Sequence, residues 1–192
     1  MIFETPEELL KGLFDGSAVG NPVNKLCKKE LFSDLRFPEE VAREDIYIMH
    51  TLYGKCRRAV HTGKALYHYI IREGSSEHQT FSPKYLISIQ IADDRCDYIK
   101  NNFPNLLPYA KTSCYGSRLS AIQKIVRSGA EKKYREIYRE LKEYIRINEP
   151  QNKKQKRLRR KILYFPLIYK FEMFLKYPFR KIVKSLVEKI KK

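Results

Sequence analysis

Two adjacent acids, Glu44 and Asp45, stand where a helical pattern begins, and they are the first candidates for chemistry in this sequence. The residues after them form one face at positions i, i+3, i+4 and i+7, which predicts a helix as far as Tyr53. Acids in a first helical turn most often only complement the helix dipole. The same dipole favours the carboxylate form that a general base acting on an alcohol requires.

A second cluster begins at Arg72, which is followed closely by Gly74 and Ser75. A guanidinium, a hydroxyl and free backbone N–H groups at a strand end can together bind a phosphate. The alternative is an ordinary exposed turn with a solvated arginine. Residues 59–61 and 65–71 favour short strands around Thr62-Gly63-Lys64, so a hairpin is expected to carry this turn.

The rest of the chain has mainly helical patterns. Thr5 and Pro6 predict the start of a short helix, and Ser82-Pro83 predicts a long one that ends near Asn101. Further helices are expected over residues 117–127 and 132–147, then a polar linker over 150–160 and two helical pieces separated by Pro178. The expected fold class is α/β, mostly helical. The four cysteines are widely spaced with no CxxC pair, which indicates free thiols and no structural zinc site.

The charge is concentrated at one end of the chain. The 192 residues include 39 Lys/Arg and 22 Asp/Glu, a net charge of +17. Residues 151–192 hold 15 of the bases and 2 of the acids, and the first 150 hold 24 and 20. A basic segment of this kind indicates a polyanionic partner, either an anionic membrane surface or nucleic acid. The near balance of the first 150 residues argues against nucleic acid.

The basic segment also carries aromatic residues and, in its last predicted helix, an apolar stripe. No apolar run approaches the ~20 residues of a spanning helix. We therefore expect residues 151–192 to bind the cytoplasmic face of the cell membrane, lying in the plane of the interface. The alternative is that the stripe packs on the body of the protein.

Three segments, taken in order, resemble the bacterial family 2 glycosyltransferases. Residues 24–38, NKLCKKELFSDLRFP, are similar to that family's "NKL(F/Y)KRELF-x-D-(I/L)RFP" segment. Glu44-Asp45 corresponds to its "ED" motif, and residues 66–75, LYHYIIREGS, correspond to its "LYxY-x-x-REGS" segment. Three motifs in the family's order are far more specific than any one of them alone.

The resemblance implies a GT-A fold and inverting transfer of a sugar from a nucleotide-sugar donor to a polysaccharide or glycolipid acceptor. Asp45, beside Glu44 in the motif, would be the base that deprotonates the acceptor hydroxyl. Lys25 would lie near the cleft for acceptor and donor, and Arg72 and Ser75 near the donor diphosphate. The complete enzyme would use a divalent metal ion, Mg or Mn.

The sequence departs from the family in one large respect. It has neither the "VSVIIPVYN" strand nor the DxD metal motif of the family's N-terminal, nucleotide-binding half. We therefore expect a C-terminal part of a glycosyltransferase, from a split, truncated or misannotated gene, that is catalytically silent alone. Residues 1–110 would be the acceptor-side half, 111–150 a helical extension and 151–192 a basic amphipathic tail. Alternatives are a non-catalytic remnant or partner subunit, or a basic helical nucleic-acid-binding protein.

Overall fold

The computed structural model describes residues 1–39, 43–68, 70 and 81–175, and within them it is mostly helical, as predicted. The chain divides into two compact units: Met1–Gln79 with Lys84–Cys114, and Thr80–Pro83 with Tyr115–Lys192. The described strands form one two-stranded sheet. The elements are strands β1 (Ile2–Phe3) and β2 (Ala59–Val60), and helices α1 (Pro6–Asp15), α2 (Glu44–Tyr47), α3 (Met49–Lys55), α4 (Ile87–Asn102), α5 (Leu107–Arg127), α6 (Arg135–Ile147), α7 (Lys153–Tyr164) and α8 (residues 166–175).

Helix α1 begins and ends where local sequence signals place it. The Thr5 hydroxyl oxygen accepts a hydrogen bond from the Glu8 N–H at 3.2 Å, and Pro6 occupies the first helical position. Gly16 ends the helix in the left-handed region, at φ 87°. Between these ends, α1 buries Leu9 and Leu10. The predicted N-cap is confirmed.

The prediction of a hairpin around Thr62-Gly63-Lys64 is wrong for the residues that the structure describes. Strand β2 pairs antiparallel with β1, in the register Ile2 with Val60 and Phe3 with Ala59. The Met1 amino group and carbonyl also bind the backbone of His61, at 3.0 and 2.8 Å, so the N-terminal residues take the hydrogen bonds that a hairpin partner would use. Phe3 is buried in the apolar core of the first unit, whereas residues 61–68 are exposed and form no strand.

The helix predicted from Glu44 to Tyr53 is divided into α2 and α3. Ile48 joins them with right-handed helical backbone angles, φ −82° and ψ −10°. Helix α3 buries four side chains in the first unit: Met49, His50, Leu52 and Tyr53. Met49, Leu52 and Tyr53 join residues of β1, α1, α4 and the start of α5 in one apolar core. Burying such side chains stabilises a fold by about 1.5–3 kcal/mol each.

The second unit has its own core, formed by the later part of α5 with α6, α7 and α8. Ile122, Ile125, Ile145 and Ile162 are fully buried within it. The Tyr115 hydroxyl donates a 3.0 Å hydrogen bond to the Ile145 carbonyl, one of the last carbonyls of α6, which have no partner within the helix.

Helix α7 lies where the sequence predicts a polar linker, so that prediction is wrong. The Asn152 side chain caps its start by accepting a 2.9 Å hydrogen bond from the Gln155 N–H. Gln155 and Ile162 are buried, which holds α7 in the second unit. The predicted division at Pro178 lies outside the described residues. No helix in the described parts of the chain is both long and apolar enough to cross a bilayer.

Candidate active site

Asp45 lies in the first turn of α2, directly after Glu44. Arg43 precedes this helix with left-handed backbone angles, at φ 65°, and so turns the chain into it. The Asp45 side chain is half-buried, and its Oδ1 accepts a hydrogen bond from the Ile46 N–H at 2.9 Å. With the described residues, its Oδ2 makes no hydrogen bond or ion pair. One carboxylate oxygen is therefore held by the backbone.

Tyr47 attaches this short helix to the long helix α4. Its hydroxyl donates a 2.8 Å hydrogen bond to Asp94 Oδ2, across 47 positions of sequence. That bond, together with burial, raises the pKa of Tyr47 above its usual value, so the hydroxyl remains a donor. A four-residue helix is too short to be stable by its own backbone hydrogen bonds. The Tyr47–Asp94 bond is thus one of the contacts that fix the position of Asp45.

A layer of buried and half-buried side chains lies next to this bond. His50 is 5% exposed, and its Nδ1 has no hydrogen-bond partner among the described residues. The pKa of His50 is lowered to about 4, chiefly by burial and secondly by the Arg95 charge, while the Asp94 charge acts in the opposite direction. The Arg95 Nε is likewise buried without a partner in the described chain, and burial lowers the pKa of Arg95. The layer is therefore electrostatically coupled to the Tyr47–Asp94 bond.

The ring of Tyr98 completes this layer. It meets the His50 ring edge-on, with centroids 5.2 Å apart, and lies 6.1 Å from the ring of Phe103. Its hydroxyl lies against Gly54 of α3, where a Cβ would come within 2.1 Å of the Tyr98 oxygen. Close packing of α3 on α4 at this point requires a residue without a side chain at position 54.

Lys25 lies in the loop between α1 and the short 3-10 turn Lys29–Phe32, after Asn24, which has φ 60°. Its side chain is half-buried, with Nζ 3.5 Å from the Val23 carbonyl. Burial lowers the pKa of Lys25, and the nearby Cys27 raises it by less. Among the described residues, Lys25 and Asp45 share no hydrogen bond or ion pair.

The other half of the predicted site lies outside the described residues, because Arg72 and Ser75 fall within 71–80. The described start of that motif, Leu66 and Tyr67, is 71% and 53% exposed. These side chains are therefore accessible from solvent.

The resemblance assigns the ligands of the divalent metal ion to the DxD motif of the nucleotide-binding half, which this sequence does not contain. No group of three or more His, Cys, Asp or Glu side chains among the described residues could hold such an ion. Asp94 accepts the hydrogen bond of the Tyr47 hydroxyl. No chemical step through a metal is therefore assigned to these residues.

The polar layer beside Asp45 was not predicted from the sequence. His50 stands on the apolar stripe of the predicted helix, and Asp94 is one of an adjacent acid pair inside another predicted helix. Either pattern is common on an ordinary packed helix. Only the contacts of α2 and α3 with α4 bring Tyr47, His50, Asp94 and Arg95 together.

No family model matches this chain, and neither the curated proteins nor the solved structures provide a match. The resemblance to family 2 glycosyltransferases therefore depends on the three sequence motifs. The structure adds the surroundings of one motif, Glu44-Asp45, and of Lys25.

Proposed function

We propose that this chain is the acceptor-side part of an inverting glycosyltransferase, which transfers a sugar from a nucleotide-sugar to a cell-surface polysaccharide or glycolipid. The observation that carries the proposal is the order of the three motifs over residues 24–75. The half-buried position of Asp45 supports it, because a general base must be held at a fixed place beside its substrate. A partial GT-A fold is part of this proposal.

Asp45 would act on the acceptor. Its carboxylate takes the proton of the acceptor hydroxyl while that oxygen attacks the anomeric carbon of the donor sugar. The bond from the sugar to the diphosphate breaks on the opposite side of that carbon, and the configuration inverts. Oδ1 is engaged by the Ile46 N–H, so Oδ2 is the oxygen that would face the acceptor. Glu44 would be the second acid of the motif.

The leaving diphosphate needs positive charge, because charge develops on it as the bond breaks. Lys25 would lie near this cleft, and its partial burial would strengthen the attraction. Arg72 and Ser75 would bind the diphosphate. The nucleotide and its divalent ion would be held by a nucleotide-binding part with a DxD motif, which this sequence does not contain. We therefore expect no transfer by the 192-residue chain alone.

In this proposal the protein acts at the cytoplasmic face of the cell membrane, peripherally bound, where lipid-linked acceptors are exposed. Its partners would be the nucleotide-sugar, the glycan or glycolipid acceptor and the anionic membrane surface. Nucleic acid is not among them.

The most direct genetic test is the DNA immediately upstream of the Met1 codon. The proposal expects a reading frame that encodes a "VSVIIPVYN" strand and a DxD motif, in frame or separated by a frameshift. Co-expression of that product with this chain should then release nucleoside diphosphate from a UDP-, GDP- or TDP-sugar, whereas this chain alone should release none. Turnover by the chain alone, or a reconstituted pair without turnover, would contradict the proposal; a stable but inactive pair would indicate a partner subunit.

A further inference from the structure

Helix α8 exposes an apolar face. Its members fall at positions i, i+1, i+4, i+7 and i+8, which places them in one stripe roughly 120° wide on a helix. Between 52% and 82% of each residue is exposed. We call this set the α8 stripe: Leu167, Ile168, Phe171, Phe174 and Leu175.

The α8 stripe is not the face that packs α8 into the second unit. Tyr169, on the opposite side of the same helix, is 3% exposed. Glu172 forms an ion pair with Lys161 of α7, and Lys170 forms one with Glu131 at 2.8 Å. The helix is thus already held in place through its other residues, and nothing among the described residues requires the stripe to be apolar.

The chain around the stripe is strongly basic. Residues 151–175 contain eight Lys/Arg and one acid, Glu172, which is already paired. Exposed bases on the preceding helix α7 are Lys153, Lys154, Lys156, Arg157 and Arg160. An occupant that contacts both helices must therefore accept a large apolar stripe and also carry negative charge.

An anionic lipid surface meets both requirements. Lysine and arginine near such a surface are attracted to its headgroups, and apolar helix faces enter the boundary between headgroups and acyl chains. Nucleic acid would satisfy the bases but would leave Leu167, Ile168 and Leu175 without an apolar environment. A second copy of the chain would cover the stripe but would bring two basic segments together.

We propose that the α8 stripe inserts into the interface of an anionic lipid bilayer, with α8 parallel to the membrane plane. The bases of α7 provide the electrostatic attraction that selects anionic lipid. The proposal narrows the membrane contact expected of residues 151–192 to the outer face of one helix. It does not depend on sugar transfer.

Co-flotation of the full-length chain with lipid vesicles tests this proposal. We expect binding to phosphatidylcholine vesicles that contain about one third phosphatidylglycerol to be about tenfold tighter than to phosphatidylcholine alone, and to weaken with added salt. The triple variant Leu167→Ser, Phe171→Ser, Phe174→Ser should lose about tenfold in affinity for the anionic vesicles. All three positions are exposed, so circular dichroism should show the same helix content as the wild type.

The matched control is Leu26→Ser, Leu66→Ser, Ile147→Ser, which removes three aliphatic side chains that are also more than half exposed, elsewhere in the chain, and should bind like the wild type. The variant Lys153→Gln, Lys156→Gln, Arg157→Gln should bind anionic vesicles more weakly and with less dependence on salt.

Three results would overturn the proposal. One is equal wild-type binding to neutral and anionic vesicles, and another is an α8-stripe variant that binds like the wild type. The third is a wild-type chain that does not bind vesicles but forms a dimer in sedimentation, or binds a DNA duplex, when the α8-stripe variant does neither. A dimer would assign the stripe to a second copy, and duplex binding would assign it to nucleic acid.

Discussion

The Tyr47 hydroxyl donates a 2.8 Å hydrogen bond to the Asp94 carboxylate and so joins a four-residue helix to a sixteen-residue one. Asp45 lies two positions before Tyr47, on the short helix. The position of the candidate base therefore depends on a bond between residues far apart in sequence. Loss of this bond should lower both the free energy of unfolding and the rate of sugar transfer.

Tyr47→Phe should lower the free energy of unfolding by about 1 kcal/mol, because it removes one partly exposed hydrogen bond to a carboxylate. Urea denaturation measures this change. The control is Tyr109→Phe, since the Tyr109 ring stacks on Phe14 while its hydroxyl makes no hydrogen bond within the described chain. If both variants have the stability of the wild type, the Tyr47–Asp94 bond does not hold α2 in place.

Gly54→Ala should destabilise the protein, although alanine in a helix is usually favoured over glycine by about 1 kcal/mol. The new Cβ would come within 2.1 Å of the Tyr98 hydroxyl, so the ring must leave its contacts with His50 and Phe103. We expect a net loss of about 1–2 kcal/mol. In a Tyr98→Ala background the same substitution should be neutral or stabilising. An equal loss in both backgrounds would exclude the Tyr98 contact as the cause.

The stability of the protein should fall as the pH is lowered from about 7 to about 5, by about 2 kcal/mol, through His50. Its pKa is about 4 in the folded chain, against 6.5 as its ordinary value, chiefly because it is buried. Over this range the unfolded chain binds a proton that the folded chain excludes, so protonation favours unfolding. This stability is fully present above about pH 6.5 and is lost as the pH falls towards 4.

His50→Leu should remove most of that pH dependence, whatever its effect on stability at neutral pH. His68→Leu is the control, because His68 is exposed. Urea denaturation at several pH values measures both. An unchanged slope in His50→Leu would assign the pH dependence to other groups.

Local signals in the sequence predict some of this fold and distant contacts determine the rest. Helix α1 could be predicted because its start is marked by Thr5 and Pro6 and its end by Gly16, all local signals. Strand Ala59–Val60 pairs with Ile2–Phe3, almost sixty residues away in sequence. The residues around position 59 do not indicate whether the partner is this distant strand or a neighbouring one. Helix α7 was missed because its first eight residues include one apolar side chain, too few for a helical stripe.

The candidate site also contains residues that local motifs predict and residues that only distant contacts bring together. Motif order predicted Asp45 and Lys25 as candidates, because a motif is a local pattern. The layer of His50, Arg95 and Tyr98 could not be predicted, since it forms only where α3 meets α4. Similarly, the apolar residues of the α8 stripe could be read from the sequence, but which face of the helix packs on the protein could not.

The most direct test of the account is the substitution Asp45→Asn in the enzyme reconstituted with a nucleotide-binding half. Loss of a general base should lower the turnover number for sugar transfer by ~10²–10⁴-fold while donor binding stays within about twofold of the wild type. The matched control is Asp97→Asn, an exposed aspartate on α4, which should leave turnover unchanged. Turnover of Asp45→Asn within about threefold of the wild type would contradict the assignment of Asp45 as the base, and with it the proposed mechanism.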